Sequence, residues 1–306
     1  VSWRTWREAM TDALYGPAGF YRTAAPVDHF RTSVHISSAF ARGVLQLARL
    51  TGLRTIVDLG AGRGELLESL AALDSELTLV AVEIRERPLE LSERIEWVPT
   101  MPTAIQAMVV ANEWLDNVPL DVVENGRLVE VSHRGVERPG AEPSLRDNVW
   151  LAEWGGVEVG HPRDEAWESV VGRLERGVAV AIDYGHVRAA RPKEPTLAAY
   201  RDGRMVSPVP DGSCDLTAWV AMDAVAAAGV RAGATRTLLT TQREALTALG
   251  LDGGRPPLEL ATADPAAYLK ALARAGEVGT LLDPNGLGGF SWLVQAKGIE
   301  LPVELG

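Results

Sequence analysis

From Thr55 onward the chain alternates two hydrophobic periodicities. Thr55-Ile-Val-Asp-Leu59 is a short run rich in β-branched residues, residues 60–64 form a glycine-rich turn, and residues 65–73 set Leu66, Leu67 and Leu70 on one helical face. The pattern then predicts a strand over residues 77–82, a helix over 85–94 and a strand over 107–111. Further on, an amphipathic helix over 164–176 leads into the apolar run Gly177-Val-Ala-Val-Ala-Ile182, which reads as a buried strand. Repeated strand, turn and helix units imply an α/β protein with a parallel sheet and right-handed crossovers.

Two stretches break this alternation. Residues 120–123, 127–131 and 148–154 read as short strands joined by turns at Asn125-Gly126 and Gly135, which predicts a β meander inserted at about 118–163. After Asp183-Tyr184-Gly185, a segment rich in Arg, Pro and Gly predicts a loop over about 186–214, and loops of that length are often functional. The pattern resumes with a helix over 216–228, a strand over 237–241, helices from Gln242 and over 264–275, and a last strand over 290–296.

Composition narrows the function. With 306 residues, 46% hydrophobic and 23% charged, the chain can bury a full core, which excludes disordered and fibrous classes. Its 41 acidic residues against 30 basic ones give a net charge of −11, which repels phosphate backbones, so no nucleic-acid partner is expected. The single cysteine, Cys214, permits no internal disulfide and no Cys-based zinc site, and fits a reducing compartment. No apolar run reaches the roughly 18 residues needed to span a bilayer, so a soluble, cytoplasmic protein without membrane insertion is expected.

The segment Asp58-Leu59-Gly60-Ala61-Gly62-Arg63-Gly64 lies between a predicted strand and helix. Glycines there let a ligand approach the backbone, and free N–H groups at a helix start attract anionic groups. The third glycine comes one residue too early for a dinucleotide fingerprint, and Glu65 stands where that glycine belongs. The D-x-G-x-G-x-G spacing instead suits S-adenosylmethionine (SAM), with the glycines around its methionine part and Asp58 near its ammonium. A nucleotide site or a purely structural turn are the competing readings. Glu83, at the end of the next strand, can accept both ribose hydroxyls of an adenosine, a feature that NAD and SAM share. Asn112-Glu113-Trp114-Leu115-Asp116-Asn117-Val118-Pro119 and Asp183-Tyr184-Gly185 each follow a strand, near the sheet edge where open α/β folds bind ligands.

Taken in order, these pieces resemble the MidA family of SAM-dependent methyltransferases, which includes a mitochondrial complex I assembly factor regarded as a protein arginine methyltransferase. The resemblance is carried by the segments 13–21 (Ala-Leu-Tyr-Gly-Pro-Ala-Gly-Phe-Tyr), 29–37, 57–64, 111–119, 182–186 (Ile-Asp-Tyr-Gly-His), 196–200 and 212–217 (Gly-Ser-Cys-Asp-Leu-Thr). It spans about residues 10–295, and its N-E-x-x-D-x-x-P, D-Y-G-H and D-L-T motifs are specific in this order. One departure stands out: the family's Thr-Ser-Pro-Glu-Ile-Ser is here Thr32-Ser33-Val34-His35-Ile36-Ser37, an imidazole in place of a carboxylate.

The resemblance implies a class I methyltransferase fold: a Rossmann-like, mostly parallel seven-stranded sheet whose last strand inserts antiparallel, behind an N-terminal cap over residues 1–42 that forms a lid. It implies SAM as cofactor, held by Asp58, Gly60, Ala61, Gly62, Gly64, Glu83 and Asn112. Glu113 and Asp116 are the expected catalytic pair, since two carboxylates can hold a guanidinium and localise a lone pair on the attacking nitrogen. His35, Asp183, Tyr184 and Asp215 are expected on the substrate side. A protein arginine, for instance on a respiratory-complex subunit, is the implied acceptor. A small-molecule acceptor, a non-catalytic SAM-binding assembly factor and an NAD-dependent oxidoreductase are the alternatives.

Overall fold

The computed structural model describes residues 2–23, 33 and 38–305. Its central sheet contains β1 (Thr55–Leu59), β2 (Thr78–Val82), β3 (Ile95–Val98), β4 (Ile105–Asn112), β5 (Leu174–Asp183), β6 (Arg236–Thr241) and β7 (Ser291–Lys297). The order is β6-β7-β5-β4-β1-β2-β3. β7 runs antiparallel to both β5 and β6, and the pairings among β1 to β5 are parallel. Strand order reverses between β1 and β4, which opens a crevice at their carboxyl ends, the usual ligand position in such sheets.

Side-chain alternation along the strands builds two core layers. Met108, Val110, Val178, Val180 and Ile182 face one layer, covered by the helices Ser38–Leu50, Glu65–Leu73 and Gln242–Ala248. Ala107, Val109, Ala111, Ala179 and Ala181 face the other, covered by the helices His161–Arg173 and Met222–Arg231. Burial on both faces explains why these strands read as continuous apolar runs.

A smaller core sits apart from the sheet. The helix Trp6–Tyr15 packs Trp6, Met10 and Leu14, with Phe20, against Leu120, Val122, Val129 and Val131 of the first insertion and Ala199 and Leu216 of the second. The strand Trp3–Thr5 pairs antiparallel with Arg127–Ser132, so the N-terminal segment and the first insertion share one sheet.

Several elements differ from the sequence expectation. Residues 85–94 are irregular rather than helical: Glu83 Oε1 accepts the N–H groups of Ile84 and Arg85, and Pro88 interrupts the segment. Residues 148–154, expected as a strand, belong to the helix Leu145–Trp154, started by a capping box in which Ser144 and Asp147 bond each other's backbone N–H. The expected loop over 186–214 contains a hairpin, Ala198–Arg201 with Arg204–Val206, turning through Asp202 and Gly203 at positive φ. The helix expected from Leu216 begins only at Met222. Asp215–Thr217 pairs with the hairpin, and Val220–Ala221 pairs with Gly185–His186.

Candidate active site

Gly60, Gly62 and Gly64 hold φ of 73°, 61° and 89°, the left-handed region that favours glycine. The Gly60 N–H donates to Val82 O (2.9 Å), and the Gly64 N–H closes the turn on Ala61 O (2.7 Å). A Cβ on Gly60 would stand 2.8 Å from Trp114 Cδ1, so this loop packs against the loop after β4. The Gly62 N–H donates to Glu83 Oε2 (3.0 Å), which ties the turn to the end of β2. Asp58 is buried at the end of β1. Burial, then the nearby charges of Glu65 and Glu83, push its carboxyl up to about 8.

The chain leaves β4 through Glu113, a non-glycine residue at φ 50°, whose N–H donates to Ile182 O (2.8 Å). Asn112 Nδ2 donates to Glu113 Oε1 (3.2 Å). Burial, then the charge of Asp116, push the Glu113 carboxyl up to about 8, against hydrogen bonds from the Asn112 side chain and the Ser33 backbone. The next turn is pinned from β5, where Asp183 Oδ2 accepts the N–H groups of Leu115 (3.0 Å) and Asp116 (3.1 Å).

Beyond this turn lies a polar network. Asp116 Oδ2 accepts from the Tyr184 hydroxyl and from Thr217 Oγ1, the latter at 2.6 Å. Asp215 Oδ1 accepts from Tyr21 Oη (2.8 Å) and Asn117 Nδ2 (3.1 Å), and Tyr15 Oη donates to Asn117 O (3.1 Å). Burial raises the carboxyls of Asp116, Asp183 and Asp215 above their ordinary range. Arg163 stands among them, 1% exposed, with its guanidinium donating to the carbonyls of Val118 (3.2 Å), Trp219 (2.7 Å) and Asp116 (2.6 Å). Asn112 Oδ1, Asp116 Oδ1 and Asp183 Oδ1 have no hydrogen-bond partner among the described residues.

These groups surround one cavity of about 1110 Å³. Asp58, Gly60, Ala61, Gly62 and Glu83 line it on the β1–β2 side, and Asn112, Glu113, Asp116, Tyr184 and Asp215 on the β4–β5 side. Two of the residues expected in the site do not line it. Gly64 acts by closing the turn, and Asp183, expected on the substrate side, spends its carboxylate on the backbone of the 115–116 turn. His35 lies outside the described residues. Asn117 and Tyr15 also line the cavity; both stand inside the family-like segments 111–119 and 13–21, without a role expected from the sequence. Arg163 carries no local signal in the sequence, since it falls just before the helix expected from residue 164.

The chain matches the family described as "Putative S-adenosyl-L-methionine-dependent methyltransferase" over residues 36–240. It belongs to that family. Two crystal structures of superfamily proteins from Burkholderia thailandensis are similar to this methyltransferase-family chain over 99% of its length and 90% of theirs, each at 26% identity. One, bound to S-adenosyl-homocysteine, has a TM-score of 0.80, and a native form has 0.76. Among curated proteins nothing matches. The class I methyltransferase fold and the family expected from the motifs are thus borne out. Among the described residues, no helix is long and apolar enough to cross a membrane.

Proposed function

We propose that this protein transfers the methyl group of SAM to a guanidinium nitrogen of an arginine on a protein acceptor, in the cytoplasm. The observation that carries this reading is the division of one cavity between a glycine turn with Asp58 and Glu83 and a carboxylate group comprising Glu113, Asp116 and Asp215. The first side suits SAM. Asp58 and Glu83 match the ammonium and the ribose diol, and from the end of β4 the unpartnered Asn112 Oδ1 adds an acceptor for a polar ligand. The family membership and the S-adenosylhomocysteine-bound relative support the same cofactor.

The bound cofactor supplies an electrophilic methyl group on a sulfonium. The chain's own task is to align the nucleophile behind it and to exclude water. A guanidinium keeps its proton to above about pH 12, so a nitrogen becomes nucleophilic only as its lone pair is localised. In this reading Glu113 and Asp116 hold the cation from two sides and draw its charge toward the nitrogens that do not react. A cation arriving beside Glu113 favours its ionised form, so its proton leaves as the acceptor binds; the ionised Glu113 would then take the N–H proton that the nitrogen sheds as it gains the methyl group and the sulfur departs as a neutral thioether. Tyr184, Thr217 and Asp183 keep Asp116 in place.

Incubation with labelled SAM and a soluble lysate of the host, followed by acid hydrolysis, tests the substrate class. Methylarginine is the expected labelled amino acid. Label in another amino acid, or only in small molecules, overturns it.

A further inference from the structure

Between Cys214 and Met222 every residue is buried except one. Trp219, the largest side chain in that run, is 47% exposed. It lines the cavity on the side of Asp116 and Asp215. An exposed tryptophan on a mobile segment would carry no argument, but this one is fixed at both polar groups of its backbone. Its N–H donates to Thr196 Oγ1 (2.8 Å), and that hydroxyl donates to Glu158 Oε2 (2.8 Å), while Glu158 Oε1 accepts the N–H groups of Thr196 (2.7 Å) and Leu197 (3.0 Å). Its carbonyl accepts from Arg163, and the same guanidinium binds Asp116 O. On either side, the Ala218 N–H donates to Asp116 O (3.1 Å) and the Val220 N–H to Tyr184 O (3.1 Å). The backbone that carries the indole is therefore held in register with the Asp116 and Tyr184 backbone by the side chains of Arg163 and Thr196, the latter anchored by Glu158.

The geometry points to Trp219 as a specificity-determining residue for the methyl acceptor, its indole face stacking on the acceptor's planar cation, with Arg163 and the Thr196–Glu158 pair as the residues that position it. This rests on the arginine reading above. A guanidinium held edge-on by carboxylates leaves its flat face free, and an indole is the best aromatic partner for such a face. Leaving an indole partly in water costs apolar burial that the neighbouring run achieves everywhere else, and contact with an acceptor would recover it. Fixing the backbone in advance lowers the ordering cost of binding.

The test uses the full chain, labelled SAM and graded amounts of host soluble lysate, with binding of S-adenosylhomocysteine (SAH) measured by calorimetry on the same samples. Trp219→Leu is expected to raise the half-saturating lysate concentration about 3- to 30-fold, the range of a cation–π contact, with the plateau rate and SAH affinity within twofold of wild type. Trp219→Phe should lie between the two, since it keeps a smaller π face. Unchanged half-saturation in Trp219→Leu overturns the role. So does a parallel loss of SAH affinity, which would assign the ring to the cofactor or the fold. A wild-type protein that binds SAH and labels only non-cationic groups overturns the arginine reading and the stacking role with it, whereas a failure confined to the variants leaves that reading standing.

Discussion

The N–H of Asp116 donates to Asp183 Oδ2 at 3.1 Å, so the carboxylate that ends β5 fixes the turn that follows β4. The same oxygen takes the Leu115 N–H at 3.0 Å. Two buried donors thus depend on one acceptor. Asp183→Ala should lower unfolding stability by roughly 2–4 kcal/mol, the cost of two buried unpaired N–H groups. Asp183→Asn keeps a carbonyl acceptor and should lose less than half as much. Urea unfolding of both variants measures the difference, and equal losses would mean that charge, not hydrogen bonding, is the basis of the effect.

Glu113 lines the same cavity as Asp58 and Glu83, and the proposed function sets it beside the methyl acceptor. Glu113→Gln keeps size and hydrogen bonding but removes the anion. Methyl transfer should fall by about two to four powers of ten, the usual contribution of a single electrostatic or acid–base group, while SAH affinity stays within twofold. Single-turnover rates together with calorimetry separate the two effects. Loss of SAH binding instead would move Glu113 to the cofactor side.

How legible the site was depended on which interactions were local in sequence. The glycine turn, Glu83 and the 112–119 segment could be read because their chemistry is compressed into a few residues at strand ends. Most of the sheet could be read because two-sided burial leaves apolar runs, but the edge strand β3 could not, since Ile95–Val98 is short and carries the exposed Glu96. The helix over 145–154 was missed because its start is set by a reciprocal Ser144–Asp147 cap, a signal easily overridden by the alternating apolar residues that follow. The network around Asp116 was missed for another reason. Tyr184, Thr217 and Arg163 lie 47 to 101 residues from it in sequence, and only the packing of the central sheet, a covering helix and the second insertion brings them together. The hairpin over 198–206 was hidden in a segment whose glycine and proline content suggested only a loop.

Asp58 and Glu113 both bind a proton more tightly in the folded chain, near pH 8 against ordinary values of 3.8 and 4.5. Between those limits the folded state carries more protons than the unfolded one, so stability falls as pH rises. Their contribution is fully present below about pH 4 and is lost through about pH 8. Melting of the ligand-free protein from pH 5 to 8.5 should show this decline. If the SAH ammonium sits beside Asp58, binding expels that proton, and affinity should rise with pH toward 8, by up to about tenfold per unit. Asp58→Asn should weaken binding and flatten this rise. A wild-type affinity that does not change with pH would separate Asp58 from the cofactor's cation.

Gly60 combines a left-handed backbone with a neighbour in the way: φ is 73°, and an added Cβ would meet Trp114 Cδ1 at 2.8 Å. Gly52 shares the first feature alone, with φ 68° and nothing within 4 Å. Replacing each by Ala separates the two effects. Gly52→Ala should cost roughly 1–2 kcal/mol from the left-handed backbone and leave SAH affinity unchanged. Gly60→Ala carries the same backbone cost, but it must also displace the turn or the indole of Trp114. Displacing the turn pulls the Gly62 N–H away from Glu83, so the loss should reach both sides of the proposed cofactor contact. SAH affinity is expected to fall at least tenfold, beyond what the stability change alone explains. Calorimetry at a temperature where both variants are fully folded decides it, and a Gly60→Ala protein that binds SAH as well as Gly52→Ala would show that the turn tolerates a side chain and is not the cofactor's cradle.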